Sequence, residues 1–405
     1  MKVTVWYSSE SMADYIIDHT VLRKHCCEKR KLQESDASKP AEFHAVPDHI
    51  KKILYLDAPD IIVEVGSNPI FTIEESKEAE TGHNAFQRFS RLAASAENGI
   101  PSFYVYPEAA LISRKGVAPK WDVINPLIFH ALERLMDVFN TPALLFFYPS
   151  RYPESVDATV ENKGLKLFKG SMKYLSCPAV DGEMKSLFAT IDLLVSQVEA
   201  KGISALSKLM AFDLFKSRRD WQRRYFHEHS NGAKADEMSP LSAVRVYDTS
   251  VVADYIKRLA NVADVGNLLL SRPKTVAYLV NAKFRGDPYP GALAAIDYMK
   301  CRVGRTFEDR EYNLVMIWGT ADVQDGVLDV SGQASVNDFC ERLMNIDQHN
   351  LLTKTYAEVK QEKKLPRYYM QARYGSMFSK AKDIRVYSYF CDAILFADGV
   401  LWREG

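Results

Sequence analysis

The stretch PDIIVEVGSNPIFTIEESKEAETGHNAFQRFSR, Pro59–Arg91, decides how the first part of the chain is read. Asp60 opens an apolar run, Ile61-Ile62-Val63, and Gly66-Ser67-Asn68-Pro69 is dense in turn formers. Ile70-Phe71-Thr72-Ile73 returns as a strand rich in β-branched and aromatic side chains, running into Glu74-Glu75-Ser76-Lys77. Folding at the turn brings Asp60 beside the Glu74/Glu75 pair and gathers carboxylates and Lys77 at one end of a small sheet. Side chains alternate across a strand, so Phe71 and Ile73 are expected to face the core and Thr72, Glu74 and Ser76 a cleft. Carboxylate oxygens of this kind hold Mg²⁺, which keeps several waters. The metal polarises a phosphate and activates water, while a lysine stabilises the developing charge.

The order Pro59-Asp60, a hairpin's length, then Glu75-Ser76-Lys77 resembles the PD-(D/E)XK nuclease superfamily, which includes most type II restriction endonucleases. The resemblance covers roughly residues 40–110. It implies an α/β fold with a mixed central sheet flanked by helices, followed here by a large additional α+β region. Carried onto this chain, it names Asp60, Glu74, Glu75 and Lys77 as catalytic and Asp60, Glu74 and Glu75 as Mg²⁺ ligands. The working triplet stays open. Strand phasing favours Glu74-Glu75-Ser76, with Ser76 where the family usually has lysine; the motif favours Glu75-Ser76-Lys77, and a bulge would reconcile the two.

Composition leaves room for such a protein without pointing to it. The 405 residues suffice for one to three domains. With 47% hydrophobic and 26% charged residues, the chain reads as an ordinary soluble globular protein. Lys+Arg and Asp+Glu both number 52, so any nucleic-acid surface must come from local patches. No apolar run approaches a membrane span, and MKVTVWYSSESMADYII lacks a signal-peptide core. The six cysteines are scattered without a CxxC, which suits reduced thiols in a cytoplasm. HExxH, GxGxxG, P-loop and GxSxG patterns are absent, so zinc, nucleotide and serine-triad chemistry have no support.

Along the chain, Val3 to Tyr7 reads as a strand, Ser11 to Cys27 as a helix, and Asp48 to Leu56 as a short helix before the hairpin. A helix from Thr81 to about Asn98 puts Phe86, Phe89, Leu92 and Ala93 on one face, with His83, Asn84, Gln87, Arg88 and Arg91 toward the other. A strand from Pro101 to Tyr106, a helix from Ile124 to Asn140 and a strand from Ala143 to Tyr148 complete a nuclease-like core over residues 1–150. A hairpin around Leu165 to Tyr174 and helices at 183–200 and 203–226 make residues 151–240 a mainly helical segment, closed by the linker-like HSNGAKADEMSP. Residues 241–405 read as an α+β region for DNA recognition or dimerisation, with helices at 249–261, 290–301, 335–346 and 351–362 and strands at 275–281, 312–318 and 384–397.

Three segments outside the hairpin mix arginine with aromatic residues. In KSRRDWQRRYF (216–226), Arg218, Arg219, Arg223 and Arg224 alternate with Trp221, Tyr225 and Phe226, a pattern suited to tracking phosphates, or else to a charged helix with its aromatics in the core. Arg285 lies on a Pro/Gly loop where it can read a guanine edge. RYYMQARYGS (367–376) is the third. In the helix that starts at Thr81, the free N–H groups of Thr81 to Asn84 face the scissile region, and His83, Gln87 and Arg88 follow on a similar side over successive turns, able to hold a phosphate or else forming a solvated face. The resemblance and these segments together imply an Mg²⁺-dependent endonuclease hydrolysing double-stranded DNA at a specific sequence. A homodimer in the cytoplasm is expected, because two strands need two sites. The alternatives are a repair or anti-phage nuclease, and a non-catalytic DNA-binding protein.

Overall fold

The computed structural model describes residues 1–32, 46–54, 58–76, 85, 88–114, 117–148, 181–230, 242–280, 312–338 and 391–402. The chain divides into two compact units, Met1–Asn231 and Gly232–Gly405. Both are mixed α/β.

The first unit is built on a six-stranded mixed sheet. Its strands are β1 (Val3–Tyr7), β2 (Cys27–Lys31), β3 (Ile61–Val65), β4 (Asn68–Glu75), β5 (Ser102–Tyr106) and, at the far edge, β8 (Ala143–Phe147), in the spatial order β2-β1-β3-β4-β5-β8. β3 runs antiparallel to β1 and to β4, while β4, β5 and β8 are parallel. Asp60 at the start of β3 therefore lies at the sheet end where β4, β5 and β8 finish. Outside the sheet, Ala109–Arg114 (β6) and Val117–Val123 (β7) form a separate hairpin with no counterpart in the sequence reading.

The β3–β4 hairpin is tight because Gly66 and Ser67 both take positive φ, 55° and 66°. This left-handed pair matches the twist of the flanking strands. Ile61 pairs with Ile73, Ile62 with Thr72 and Val63 with Phe71, and a bulge follows between Val63 and Glu64. The bulge lies toward the turn, so the register beside Asp60 is undisturbed.

Helices α1 (Glu10–His19), α2 (Asp48–Leu54), α3 (Phe89–Glu97) and α4 (Leu127–Phe139) accompany this sheet. α1 stops sooner than expected from sequence. The Thr20 hydroxyl donates back to the Ile16 carbonyl, a single helical turn of the 3-10 type spans Val21–Lys24, and the chain continues as edge strand β2. α3 ends at Gly99, whose φ of +72° lets the Gly99 and Ile100 amides reach the Ala96 and Ser95 carbonyls.

Helices α5 (Gly182–Lys201) and α6 (Asp213–His229) fall in the first unit and cover the open edge at β8. An edge strand leaves a row of backbone groups unpaired by the sheet. Here the Gln222 side chain accepts from the Leu145 amide at 2.6 Å, and Glu183 from the Phe147 amide at 2.9 Å. The Arg218 guanidinium donates to the Leu145 carbonyl and to both Glu183 oxygens.

The second unit carries a five-stranded sheet: β9 (Ser242–Asp248), β10 (Lys274–Val280), β11 (Tyr312–Ile317), β14 (Ala393–Phe396) and β15 (Gly399–Trp402), in the order β15-β14-β11-β10-β9. β10, β11 and β14 are parallel, with β9 and β15 antiparallel at the two edges. Helix α7 (Thr249–Ala260) buries Val252 and Ile256 against Ala277, Val315, Ile317 and Leu395. A hairpin of β12 (Thr320–Gln324) and β13 (Val327–Ser331) adds Leu328 and Val330 to the same core. Asn267–Leu270 forms one short helical turn, α8. The sequence reading's hairpin at 165–174, its helices at 290–301 and 351–362, and its strip at 367–376 lie outside the described residues, as do most of its 335–346 helix and the first part of its 384–397 strand. No described helix is long and apolar enough to cross a membrane.

Candidate functional site

Extending the β3–β4 register one step beyond the Ile61–Ile73 pair sets Asp60 directly across from Glu74. Both carboxylates then share one face of the sheet, with Ile62 and Thr72 behind them. Asp60 is held by its backbone surroundings. One carboxylate oxygen accepts the Glu75 amide at 2.8 Å, and the other accepts the Ser8 hydroxyl at 3.1 Å. The Ser8 amide in turn donates to the Asp60 carbonyl at 2.8 Å, joining the ends of β1 and β3.

α3 closes this face. The Thr72 hydroxyl donates to Ser95 at 2.9 Å, and the Ser95 hydroxyl donates to the Arg91 carbonyl. That contact fixes α3 over β4 so that Arg91, one turn before Ser95, points at the carboxylates. Arg91 Nη1 lies 2.5 and 2.6 Å from the two oxygens of Glu74 and 3.8 Å from Asp60 Oδ1. Arg88 adds a second guanidinium, its Nε 3.4 Å from Glu74 Oε1. Tyr104, paired with Glu74 across β4 and β5, is buried beside them, and its hydroxyl donates to the Ala85 carbonyl at 3.1 Å.

The depth of the two acids differs. The Glu74 side chain is 1% exposed, while Asp60 retains 21% and Arg88 32%. Burial pushes the Glu74 carboxyl up to about 8; Asp60's negative charge adds to the rise, while Arg91 and Arg88 oppose it. Burial likewise raises the Tyr104 phenol well above its ordinary range. A buried carboxylate facing a second carboxylate needs a cation, and the Arg91 guanidinium supplies one.

Of the two glutamates kept open from sequence, Glu74 shares the face of Asp60. Glu75 is the next residue on the strand, so its side chain turns to the other face. There the Tyr15 phenol of α1 is raised by burial first, then by Tyr148 and Asp181, with the Glu75 charge adding last. Asp60 and Glu75, both named from sequence as metal ligands, thus fall on opposite faces of the sheet. Ser76 continues the phase of Glu74, and its amide bonds to the Val105 carbonyl at 2.9 Å. Lys77 lies outside the described residues, as do His83, Gln87 and Arg285.

The arginines of the basic helix differ in their surroundings. Arg218, read from sequence as a phosphate contact, is 6% exposed and stacks between Phe146 and Trp221 while bonding Leu145 and Glu183. Arg219 pairs with Glu133 at 2.6 Å and Asp137 at 2.5 Å, and Arg223 also pairs with Glu133. Tyr225 packs on Phe129, Phe147 and Trp221. The alternation of arginine and aromatic residues thus serves packing against β8 and α4. Arg224 is exposed.

Arg91 is the residue of this site that sequence reasoning left on a polar helix face. Its sequence neighbourhood, with Arg88 three residues earlier, carries no signal that separates it from a solvated arginine. As a donor set, Asp60 and Glu74 suit a hard divalent cation such as Mg²⁺, which is commonly held by one or two carboxylates plus water and substrate phosphate. The guanidinium already standing between them marks the position as one that attracts positive charge. Among the described residues no group of three or more His, Cys, Asp or Glu gathers around a point, so the set is a two-carboxylate one. No known protein family, curated protein or solved structure matches this chain.

Proposed function

We propose that the first unit is a PD-(D/E)XK-like nuclease core, and that the protein is a type II restriction-like endonuclease that hydrolyses phosphodiester bonds of double-stranded DNA. The observation that carries this reading is the pair Asp60 and Glu74, in register on one face and at the end where three parallel strands finish. Ligands of open α/β sheets bind beyond the carboxyl ends of such strands. Mg²⁺ would be held by Asp60 and Glu74, supplying polarisation of the phosphate and an activated water. The protein's own part is to fix Asp60 through Ser8 and the Glu75 amide, to bury Glu74, and to present Arg88 at the half-exposed mouth for a phosphate oxygen. The reading carries with it a homodimer, whose two copies address the two strands, and a cytoplasmic location.

A second reading, a duplex-binding protein without catalysis, is favoured by the contacts of Glu74: two arginines already occupy its carboxyl oxygens. A cleavage assay on plasmid and phage DNA with Mg²⁺ decides. Discrete bands support the restriction-like reading, a smear supports a repair or anti-phage nuclease, and a gel shift without cutting supports the non-catalytic protein. Asp60→Ala and Glu74→Ala are expected to lose about a hundredfold or more in rate, with Glu75→Ala much closer to wild type. Full activity of Asp60→Ala overturns the site.

A further inference from the structure

Four charged groups meet at the end of β3 and β4: Asp60 and Glu74 on the strands, Arg88 and Arg91 from α3. With both carboxylates ionised, the form that holds a metal, their charges sum to zero. Adding a divalent cation while both guanidinium groups stay in place leaves two excess positive charges, with Glu74 fully buried. Arg91 approaches Glu74 so closely, 2.5 and 2.6 Å from its two oxygens, that it and a metal ion compete for the same lone pairs. Arg88 differs: its side chain is 32% exposed and its contact with Glu74 is looser, at 3.4 Å.

On the reading of Asp60 and Glu74 as metal-holding residues, we propose that Arg91 is the resident counter-cation of the pair, and that nucleic-acid phosphate draws it away. Metal and duplex then load together. A phosphodiester backbone supplies the negative charge a displaced guanidinium needs, and the planar fork of arginine matches phosphate oxygens as well as carboxylate ones. Arg88, one helical turn earlier and nearer solvent, meets the phosphate first. Without nucleic acid the pair is closed to divalent cations. The protein thereby avoids holding a loaded metal centre away from its substrate.

Equilibrium binding of Mn²⁺ to the full chain, read by the electron spin resonance of free Mn²⁺ with and without a short mixed-sequence duplex, tests this directly. Wild type is expected to bind Mn²⁺ about tenfold or more tightly when duplex is present, and Mn²⁺ to tighten duplex binding by the same factor. Arg91→Gln is expected to bind Mn²⁺ without duplex as tightly as wild type does with it, so that the coupling shrinks. Arg91→Lys keeps the charge and is expected to retain coupling, and the wild-type measurement stands even where a variant folds poorly. Equal wild-type affinity with and without duplex overturns the proposal. So does undiminished coupling in Arg91→Gln, which assigns the effect to direct contact of metal and phosphate. Absence of Mn²⁺ binding in every form, Arg91→Gln with duplex included, overturns the metal-holding reading and the proposal with it. Loss of binding in Asp60→Asn alone supports both.

Discussion

Asp60 and Asp392 occupy the same kind of place in two different sheets. Each stands one residue before a strand, β3 in the first unit and β14 in the second. Each accepts a backbone amide from the neighbouring strand: Glu75 at 2.8 Å for Asp60, and Leu314 at 2.9 Å for Asp392. The difference lies in what faces them. Glu74 stands across from Asp60, whereas the register of β11 and β14 puts Leu314 across from Asp392. Asp392 is 1% exposed, bonded through its own amide and its carboxylate to Leu314 of β11. Asp60 keeps contact with solvent and has two arginines nearby. An aspartate at a strand start is thus a device for joining strands. It acquires chemical potential when a second carboxylate and an approach from solvent are added.

The comparison is broken or sharpened first at Arg91, where the largest effect on stability is expected. Arg91→Ala leaves Glu74 buried without its closest cation, and removing one partner of a buried pair costs about 3–5 kcal/mol. Arg88 and protonation of Glu74 place the loss toward the lower end of that range. Denaturant unfolding followed through the first unit is the check. A loss under about 1 kcal/mol is within the range of an ordinary surface change and would show that Arg91 does not carry the compensation.

Next comes the aspartate pair itself. Asp392→Ala removes a buried charged acceptor from a strand junction and is expected to destabilise the second unit by about 1.5–3 kcal/mol. Asp60→Ala loses a similar amide bond but relieves repulsion from Glu74, so its net cost is expected near 1 kcal/mol or less, although it abolishes cleavage on the proposed function. Thermal unfolding of both variants, with amide exchange to assign the melting to a unit, measures the two. A reversed order would mean that Asp60 is mainly structural.

The site was partly legible in the sequence, for physical reasons that separate its parts. Ile61-Ile62-Val63 and Ile70 to Ile73 flank a Gly-Ser turn, so the hairpin and its register follow from local preference and alternation. Alternation also put Glu74 with Thr72 on the non-core side. That side proved to be packed by α3, because Thr72 bonds Ser95 and Arg91 seals Glu74. Arg91 itself is a tertiary partner, set by how α3 docks, and no local pattern announces it. Strand β2 was missed because CEKRK carries no apolar alternation. It is a charged edge, with Arg30 over the Trp6 ring and Lys29 bridged to Glu10 and Asp14 of α1. β6, β7, β12, β13 and β15 are short hairpin strands whose pairing depends on their neighbours. In α6, the same spacing of arginine and aromatic residues serves a nucleic-acid surface or a sheet edge; the unpaired backbone of β8 selects the second for Arg218 and Gln222.

The effect that is smallest per step is a slope with pH, spread over several units, at the end of the first sheet. The Glu74 carboxyl is raised from 4.5 to about 8, by burial first and then by Asp60 against the pull of Arg91 and Arg88. Between these values the folded protein binds more protons at this position than the unfolded chain does, so stability falls as pH rises through the window. Below about 4.5 the contribution is fully present, and above about 8 it is gone. A single proton sets a ceiling on the slope of about 1.4 kcal/mol per pH unit. Glu108, also raised by burial, adds a slope of the same sign, and His130, lowered by burial, adds the opposite one. The quantity to read is therefore the difference between wild type and Glu74→Gln across pH 5 to 8, in which those groups cancel. The glutamine keeps the shape of the side chain and cannot ionise, so its curve is expected to be flatter. Parallel curves would mean that Glu74 stays ionised throughout, held by Arg91 alone. The end of the first sheet would then be a permanent ion pair, in which a divalent cation meets a full-strength competitor at every pH.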